Sequence, residues 1–478
     1  MLNKRIIQGL SAAALALAVG ACKTPALVQK QENRTVPSSY VGGAPDSTNN
    51  VGQVRWREFF TDPNLVALID TALVRNQELN ITRQELEIAQ QEVRLRKGEY
   101  LPFVGLGAQA AADRVGRYTL QGATEETVDI HERRTPDPLT NFQIGAFASW
   151  EVDIWHKLRN ARKAAVSRYL ASVEGRNFTT TNLIAEIANS YYELLALDNQ
   201  LAIVRQNIEI QTNALRAVQM QKDAARVTEL AVKRFEAQVQ NTRSRQFTIQ
   251  QRITETENRI NFLVGRYPQP VVRNDQTFNE LVPKVVQAGV PAQLLQNRPD
   301  IRQAEQNLAA AKLDVQVARA NFYPRLSIDA AAGFQAFRPG LLINAPESML
   351  LTLAGNAAAP LINRNGIKAL YYSANARQTQ AAFEYERTIL NGYIEVANQL
   401  ANISNLQRSY EAKSREVEAL NQSISISNSL FNSARADYTE VLFTQRDALE
   451  SKFDLIETKM QQLNATVNVY RALGGGWN

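Results

Sequence analysis

The chain has 478 residues, 45% of them hydrophobic, with 53 Lys+Arg against 47 Asp+Glu, a formal net charge of +6, one cysteine and two histidines. A single Cys excludes a disulfide within the chain, and Cys22, His131 and His156 leave a His/Cys metal centre almost no ligands to draw on. The charge is mild for this length and spread along the chain, which argues against nucleic-acid binding.

Met1 to Ala21 carries Lys4 and Arg5, an apolar stretch from Ile6 to Val19, and small residues at Gly20 and Ala21. This is the pattern of a secretory signal, too short and wrongly flanked for a transmembrane helix. Its removal takes two cations and no acid, so the charge falls from +6 to +4 (6 − 2). Cys22 follows directly. Lys23 to Val54, punctuated by Pro25, Pro37, Gly42, Gly43, Pro45 and Gly52, reads as a tether running extended along the body. Trp56-Arg57-Glu58-Phe59-Phe60 opens the folded part. Asp62-Pro63 is then placed to start one helix from Asn64 to Arg96, whose apolar face uses Leu65, Leu68, Ile69, Ala72 and Leu73, then Leu79, Leu86, Ile88 and Val93.

From Phe142 the pattern changes to strict alternation. Phe142, Ile144, Ala146, Ala148, Trp150, Val152 and Ile154 share one face, against Gln143, Gly145, Ser149, Glu151 and Asp153 on the other. Leu326, Ile328, Ala330, Ala332 and Phe334 against Ser327, Asp329, Gly333 and Gln335 give a second such strand, and Phe103 to Ala112 and Ser348 to Ala357 are weaker, Gly- and Ala-rich candidates. About ten residues is the length a tilted transmembrane strand needs. A soluble β-hairpin lying on helices has the same periodicity. If these strands cross a membrane they must close into a barrel without free edges, and four are too few, so an oligomer must share one.

Leu158 to Leu263 and Lys368 to Leu473 are seven-residue apolar repeats. The first uses Ile187, Leu194, Leu201, Ile208 and Leu215. The second uses Ile389, Val396, Ile403, Tyr410, Val417, Ile424 and Phe431, breaks at Asn432 to Tyr438, and returns with Leu442, Leu449, Ile456, Leu463 and Tyr470. Each stretch is expected to fold as an antiparallel coiled hairpin with arms of about 60 residues, roughly 90 Å long. The two are copies. Under a shift of 209, Glu186-Ile187-Ala188-Asn189 falls on Glu395-Val396-Ala397-Asn398; the register slips to 211 at the tips, where Thr228-Glu229-Leu230 meets Thr439-Glu440-Val441. Upstream the shift is 222, and Tyr100-Leu101-Pro102 meets Phe322-Tyr323-Pro324. Each half thus runs helix, Pro, variable middle and hairpin, the first middle being 13 residues longer (222 − 209).

The readings divide the chain into a signal (1–21), an anchored tether (22–55), a first-repeat helix (56–102), a first transmembrane β-hairpin with its loop (103–157) and a first helical hairpin (158–265). A linker (266–297), a second-repeat helix (298–325), a second transmembrane β-hairpin (326–362) and a second helical hairpin with the C-terminal segment (363–478) complete it. The fold class is therefore mostly α with a small β part. No phosphate loop, zinc spacing or Ser/His/Asp arrangement occurs, and His131 lies in a charged loop from Glu125 to Asp137, so neither an enzyme nor a cofactor or metal site is expected.

Asn297-Arg298-Pro299-Asp300-Ile301-Arg302, continuing through Glu305, Leu308, Ala311 and Phe322-Tyr323-Pro324-Arg325-Leu326, resembles the signature of the TolC-like outer membrane factor family, in the lipoprotein branch serving resistance-nodulation-division efflux pumps. Trp150-Glu151-Val152-Asp153-Ile154-Trp155 and Arg471-Ala472-Leu473-Gly474-Gly475-Gly476-Trp477 match as well, and Val19-Gly20-Ala21-Cys22 resembles a lipobox, with Cys22 the lipid attachment residue. The resemblance implies a homotrimer in the outer membrane, its twelve-stranded barrel continued by a periplasmic helical tunnel. The implied partners are outer-membrane lipid, a periplasmic adaptor (membrane fusion) protein and an inner-membrane resistance-nodulation-division pump. It also implies an iris at the hairpin tips, whose charges here are Asp223, Arg226 and Glu229 in one and Arg435, Asp437 and Glu440 in the other. Glu440 stands where the family has an aspartate lining the constriction, while Phe443 takes the position of a second. Solvated turn charges would give the same pattern. Two alternatives lack a pore: a lipid-anchored coiled-coil scaffold, and a pump adaptor, which should carry β-rich modules and a single hairpin.

Overall fold

The computed structural model describes residues 24–27, 30–40, 50–130, 133–134, 136–274, 278, 280–281, 287–362, 364–433 and 435–477. The expected signal segment, Cys22 and His131 lie outside the described residues. In chain order the elements are α1 (Trp56–Phe59), α2 (Pro63–Arg75), α3 (Gln77–Tyr100), β1 (Phe103–Asp113), α4 (Leu120–Thr127), β2 (Asp129–Ile130), β3 (Arg133–Arg134), β4 (Leu139–Glu151), α5 (Lys157–Asp223) and α6 (Glu229–Val264). There follow α7 (Leu294–Asn297), α8 (Pro299–Ala320), β5 (Arg325–Ala336), β6 (Met349–Ala358), α9 (Asn365–Asn432) and α10 (Tyr438–Ala472). The chain divides into two compact units, one of residues 1–31, 87–170 and 306–383, the other of residues 32–86, 171–305 and 384–478.

The first unit holds an antiparallel sheet in the order β1-β4-β5-β6. Both strands expected to be weak are present at nearly full length, and β4 pairs with β5 so that residues from the two halves of the sequence face each other, Ile144 opposite Phe334 and Trp150 opposite Ile328. Glycine marks the close approaches. Gly145 and Gly333 sit directly opposite each other, and a Cβ at Gly333 would lie 2.2 Å from the Ile144 carbonyl oxygen. Where Gly105 has no side chain, the Phe147 ring fills the space, 2.7 Å from where a Cβ would stand.

The second unit is helical. Its apolar cluster joins Leu65 and Ile69 of α2, Ile187, Leu194 and Val204 of α5, Ile253 and Ile260 of α6, and Ile456, Leu463 and Tyr470 of α10. Ile187, Leu194, Ile456, Leu463 and Tyr470 are heptad positions read from the sequence, Leu65 and Ile69 belong to the apolar face read for the first helix, and each large side chain fully buried there contributes about 1.5–3 kcal/mol. Cross-links fix the antiparallel registers: Thr242 donates to Gln211 at 2.7 Å between α5 and α6, and Lys413 pairs with Asp454 at 2.9 Å between α9 and α10.

Two expectations are corrected here. The hairpin arms are unequal: α5 has 67 residues and α9 has 68, but the return arms α6 and α10 have only 36 and 35. The single helix expected over Asn64–Arg96 is instead two, broken at Asn76, whose ψ of 130° leaves the helical region. One cause underlies both. The Asn76 side chain caps α3 by accepting from the Leu79 amide at 2.8 Å, and it donates to the Leu263 carbonyl at the end of α6 at 2.8 Å, so α3 starts where α6 stops. Of the apolar face expected on that helix, Leu79 is buried, whereas Ile88 is 69% exposed.

The second half repeats this junction with different chemistry. Asn76 shifted by 222 is Arg298, and Leu263 shifted by 209 is Ala472, and the Arg298 guanidinium donates to the Ala472 carbonyl at 2.6 Å. Arg298 also reaches Glu395 at 2.8 Å and grips Asp300 with two bonds of 3.0 and 2.7 Å. Burial disfavours its charge, but the two carboxylates outweigh burial and hold its pKa above the ordinary arginine value. The glycines after the return arms match too. Gly265 (φ +75°) and Gly474 (φ +86°) are left-handed, and a Cβ on them would come within 2.4 Å of the Arg75 oxygen and 2.5 Å of the Asn297 oxygen. On either side of Gly474 the chain packs inward: Tyr470 of α10 stacks on Phe59 at 4.1 Å and donates to the Val54 carbonyl at 2.7 Å, and Arg302 lies over the Trp477 ring at 5.5 Å. The signature residues around Arg298 and the Gly-Gly-Gly-Trp tail are thus two sides of one clamp.

Candidate functional site

The alternation in the four strands sorts the sheet into two chemically different faces. Register places Leu106, Ala146, Ala332 and Leu351 side by side, and Ala108, Ile144, Phe334 and Met349 likewise, so one face is apolar across all four strands. It is also bare, with Leu106 86% and Leu351 85% exposed. On the other face polar side chains bond to one another across strands. Ser149 and Asn356 both donate to Asp329, at 2.8 and 2.7 Å, Gln335 donates to Asn141 at 2.9 Å, and Arg325 pairs with Glu151 at 2.8 Å. A sheet with one apolar and one hydrated side, ending in the open edges of β1 and β6, is the wall of a barrel whose other staves come from elsewhere. Among the described residues no helix is long and apolar enough to cross a membrane, and no group of His, Cys, Asp and Glu could hold a metal ion.

The sheet meets the helices of its own unit through a tight turn. Asp153, buried, accepts from the Leu158 and Arg159 amides at 3.0 and 2.9 Å and so caps α5. Trp155 stacks on Tyr323 at 4.7 Å and donates to the Pro324 carbonyl at 2.8 Å. The Trp-Glu-Val-Asp-Ile-Trp and Phe-Tyr-Pro-Arg-Leu motifs are therefore one joint.

The tips belong to the second unit. The loops between α5 and α6 and between α9 and α10 fall at 224–228 and 433–437, within the breaks read from the sequence. The structure brings the two tips together around a small apolar cluster of Val218, Ala231, Val232 and Phe235, on which Tyr438 and Leu442 of the second tip pack, with Arg234 over the Tyr438 ring at 6.0 Å. Asp223, Arg226, Glu229, Arg435, Asp437 and Glu440 are all exposed. Of these, Glu229 is paired, with Lys222 across the loop at 2.5 Å. That hydrogen bond lowers the Glu229 carboxyl and raises the Lys222 amine. The other five form no salt bridge among the described residues, and Phe443 is half-exposed beneath the Arg446 guanidinium, 5.1 Å from its ring centre. Sequence reading missed Lys222 and the cluster around Phe235. The signal for the cluster was the apolar Ala231, Val232 and Phe235 at helical spacing just inside a charged loop.

Comparison with known proteins places this geometry. A family model for outer membrane efflux proteins matches residues 68–266 and 290–475, which are the two halves of the repeat. The chain is 28% identical over 472 residues to the pyoverdine export outer membrane protein OpmQ of Pseudomonas aeruginosa, covering 98% of this chain and 97% of that one. It is 26% identical over 438 residues to the cation efflux system protein CusC of Escherichia coli, covering 91% of each. Among solved structures, the outer-membrane channel OprN superposes with a TM-score of 0.85 at 23% identity, covering 95% of this chain and 99% of that one. The open-state MtrE outer membrane channel of Neisseria gonorrhoeae gives 0.82 at 22% identity, with coverage of 95% and 99%.

Proposed function

Because the chain belongs to the outer membrane efflux protein family, we propose that three copies stand side by side to form the outer-membrane duct of a tripartite efflux system. One observation carries this reading: a four-stranded sheet with an apolar face, a face of cross-strand polar pairs and two open edges. Backbone groups on an open edge cannot stay unpaired in hydrocarbon, so the edges must meet those of other copies. Three copies supply twelve strands (3 × 4). The seven-residue stripe of Ile81, Ile88 and Leu95 on α3, more than half exposed in one chain, supports a seam against a neighbouring copy. A pore-less scaffold or adaptor has no use for an apolar sheet face of this extent.

The cargo enters from a periplasmic adaptor and an inner-membrane resistance-nodulation-division pump, and Cys22 bears the lipid anchor. Relatives named for pyoverdine export and for cation efflux share the scaffold, which supports a permissive duct with selection made upstream. With four methionines in the chain, there is no ladder of soft ligands for a metal cargo. The gate lies at the helical tips, with Glu440 facing the bore and Asp223, Arg226, Glu229, Arg435 and Asp437 around it. Single-channel recording of the purified trimer tests both levels. A conducting trimer whose cation current or cation block changes in Glu440→Lys is expected. A monomer without ion flow would overturn the channel, and an unchanged current in Glu440→Lys would remove that residue from the gate.

A further inference from the structure

The first unit contains a groove of about 340 Å³ below the apolar face of the sheet, its apolar part lined by Val152, Ile154, Leu326, Pro360, Ile367 and Leu370 with the Trp155–Tyr323 stack as one wall, and its remainder by polar residues that include Glu151, Asp153, Lys157 and Arg325. That volume is at the lower end of what holds a drug-sized ligand; the apolar part suits hydrocarbon, while of the charged residues Arg325 is paired with Glu151 and Asp153 is engaged by the Leu158 and Arg159 amides. Val152 and Leu326 continue the apolar rows of β4 and β5, so the groove opens onto the side of the sheet that faces lipid. Ile154, Leu370 and Trp155 are 48%, 60% and 43% exposed, which leaves it uncovered by the described residues.

The tether points at this groove. Within the same unit, Gln378 of α9 donates to the Lys30 carbonyl at 2.9 Å and the Lys30 ammonium lies 4.4 Å from the Phe383 ring centre. Three residues nearer the N-terminus, Leu27 packs on the cluster of Val315, Phe322, Tyr371 and Ala374. The tether, followed backward, therefore travels toward the first turns of α9. Ile367 packs on that same cluster and lines the groove. Cys22 is five residues before Leu27, a reach of up to about 17 Å for extended chain, against roughly 6–10 Å of helix between Tyr371 or Ala374 and Ile367.

We propose that the groove is the berth of an acyl chain carried by Cys22, so that part of the anchor is held by the protein instead of being dissolved in the bilayer. The inference rests on the reading of Cys22 as the lipid-bearing residue. Its physical basis is that a chain already attached a few residues away has a high effective concentration at the groove, which free phospholipid lacks.

The test uses the full chain expressed with its own signal in bacteria fed a C16 fatty acid bearing an alkyne and a diazirine. After purification and irradiation, cross-linked peptides are mapped by mass spectrometry. The expected result is label on the N-terminal peptide, with photo-adducts joining it to residues 320–326 or 360–370, falling at least fivefold in Leu370→Trp, where the groove is filled, and not in Leu351→Trp on the sheet. A labelled N-terminus whose adducts go only to phospholipid or to the sheet face overturns the berth and leaves the anchor standing. The same is true if groove adducts persist unchanged in Cys22→Ser exported with a cleavable, non-lipoprotein signal, because bulk phospholipid then fills the groove. An unlabelled N-terminus overturns the anchor itself, and the berth with it.

Discussion

Replacing Arg298 by alanine should shorten the lifetime of the folded protein far more than any exposed arginine does. The guanidinium makes four hydrogen bonds, two to Asp300, one to Glu395 and one to the Ala472 carbonyl, and its side chain is 8% exposed. Removing one partner of a buried ion pair costs about 3–5 kcal/mol. Here Asp300 and Glu395 keep 19% and 29% of their side-chain exposure, and Glu395 retains Arg471 at 2.8 Å, so solvent screening brings the cost below that range, to about 2–3 kcal/mol. Many large proteins unfold irreversibly, so the readout chosen is a rate, the half-life of helical circular dichroism at one temperature. If the clamp is already broken in the transition state for unfolding, that energy shortens the half-life roughly 30- to 150-fold. Asn76→Ala, which loses two neutral bonds at the equivalent junction, should cost about 1–2 kcal/mol and have a smaller effect. Arg387→Ala, at 68% exposure, is the control. A half-life for Arg298→Ala within twofold of that control would refute the clamp.

Gly474→Ala should destabilise by about 1–3 kcal/mol in the same assay, because its φ and the Asn297 carbonyl both exclude a methyl group, whereas Gly366→Ala, with nothing near, should be neutral or better. Ala332→Arg on the apolar face of the sheet should cost about 2–4 kcal/mol of membrane stability and reduce the heat-modifiable trimer on gels; Gln143→Arg on the hydrated face should leave it intact. Phe235→Ala, 2% exposed, should remove about 3–5 kcal/mol of packing from the tips and speed proteolysis within 224–228; an unchanged cleavage rate would detach that cluster from tip closure. Acid should loosen the first tip. The Glu229 carboxyl is lowered by Lys222, so its contribution is present above the ordinary value of 4.5 and is lost as pH falls through the depressed folded value. Faster amide exchange at 224–228 in that window is expected, and its persistence in Glu229→Gln would assign it to another group.

The strands were legible because side chains on a sheet alternate with period two, and a wall wet on one side writes that alternation directly into Phe142 to Glu151. The duplication was legible as offsets, and the offsets proved to be structural equivalences, Asn76 with Arg298 and Leu263 with Ala472. The unequal arms were not legible. A heptad seam records which positions are buried and says nothing of where one helix ends and another takes over the same line, so α6 and α3 read as parts of longer helices until Asn76 and Gly265 were seen back to back. At the tips the charges were evident, but the long-range pairing that groups them was not. Tyr438 lies 203 residues from Phe235 (438 − 235), and no local pattern links the two.

The clamp also bears on how the chain is made. Arg298 precedes the Ala472 carbonyl by 174 residues, so its junction stays open until the whole second hairpin is in place. Here the Ala472 carbonyl is hydrogen-bonded and the Trp477 ring lies under a guanidinium, so a chain cut before Ala472 would leave Arg298 and Arg302 without these partners.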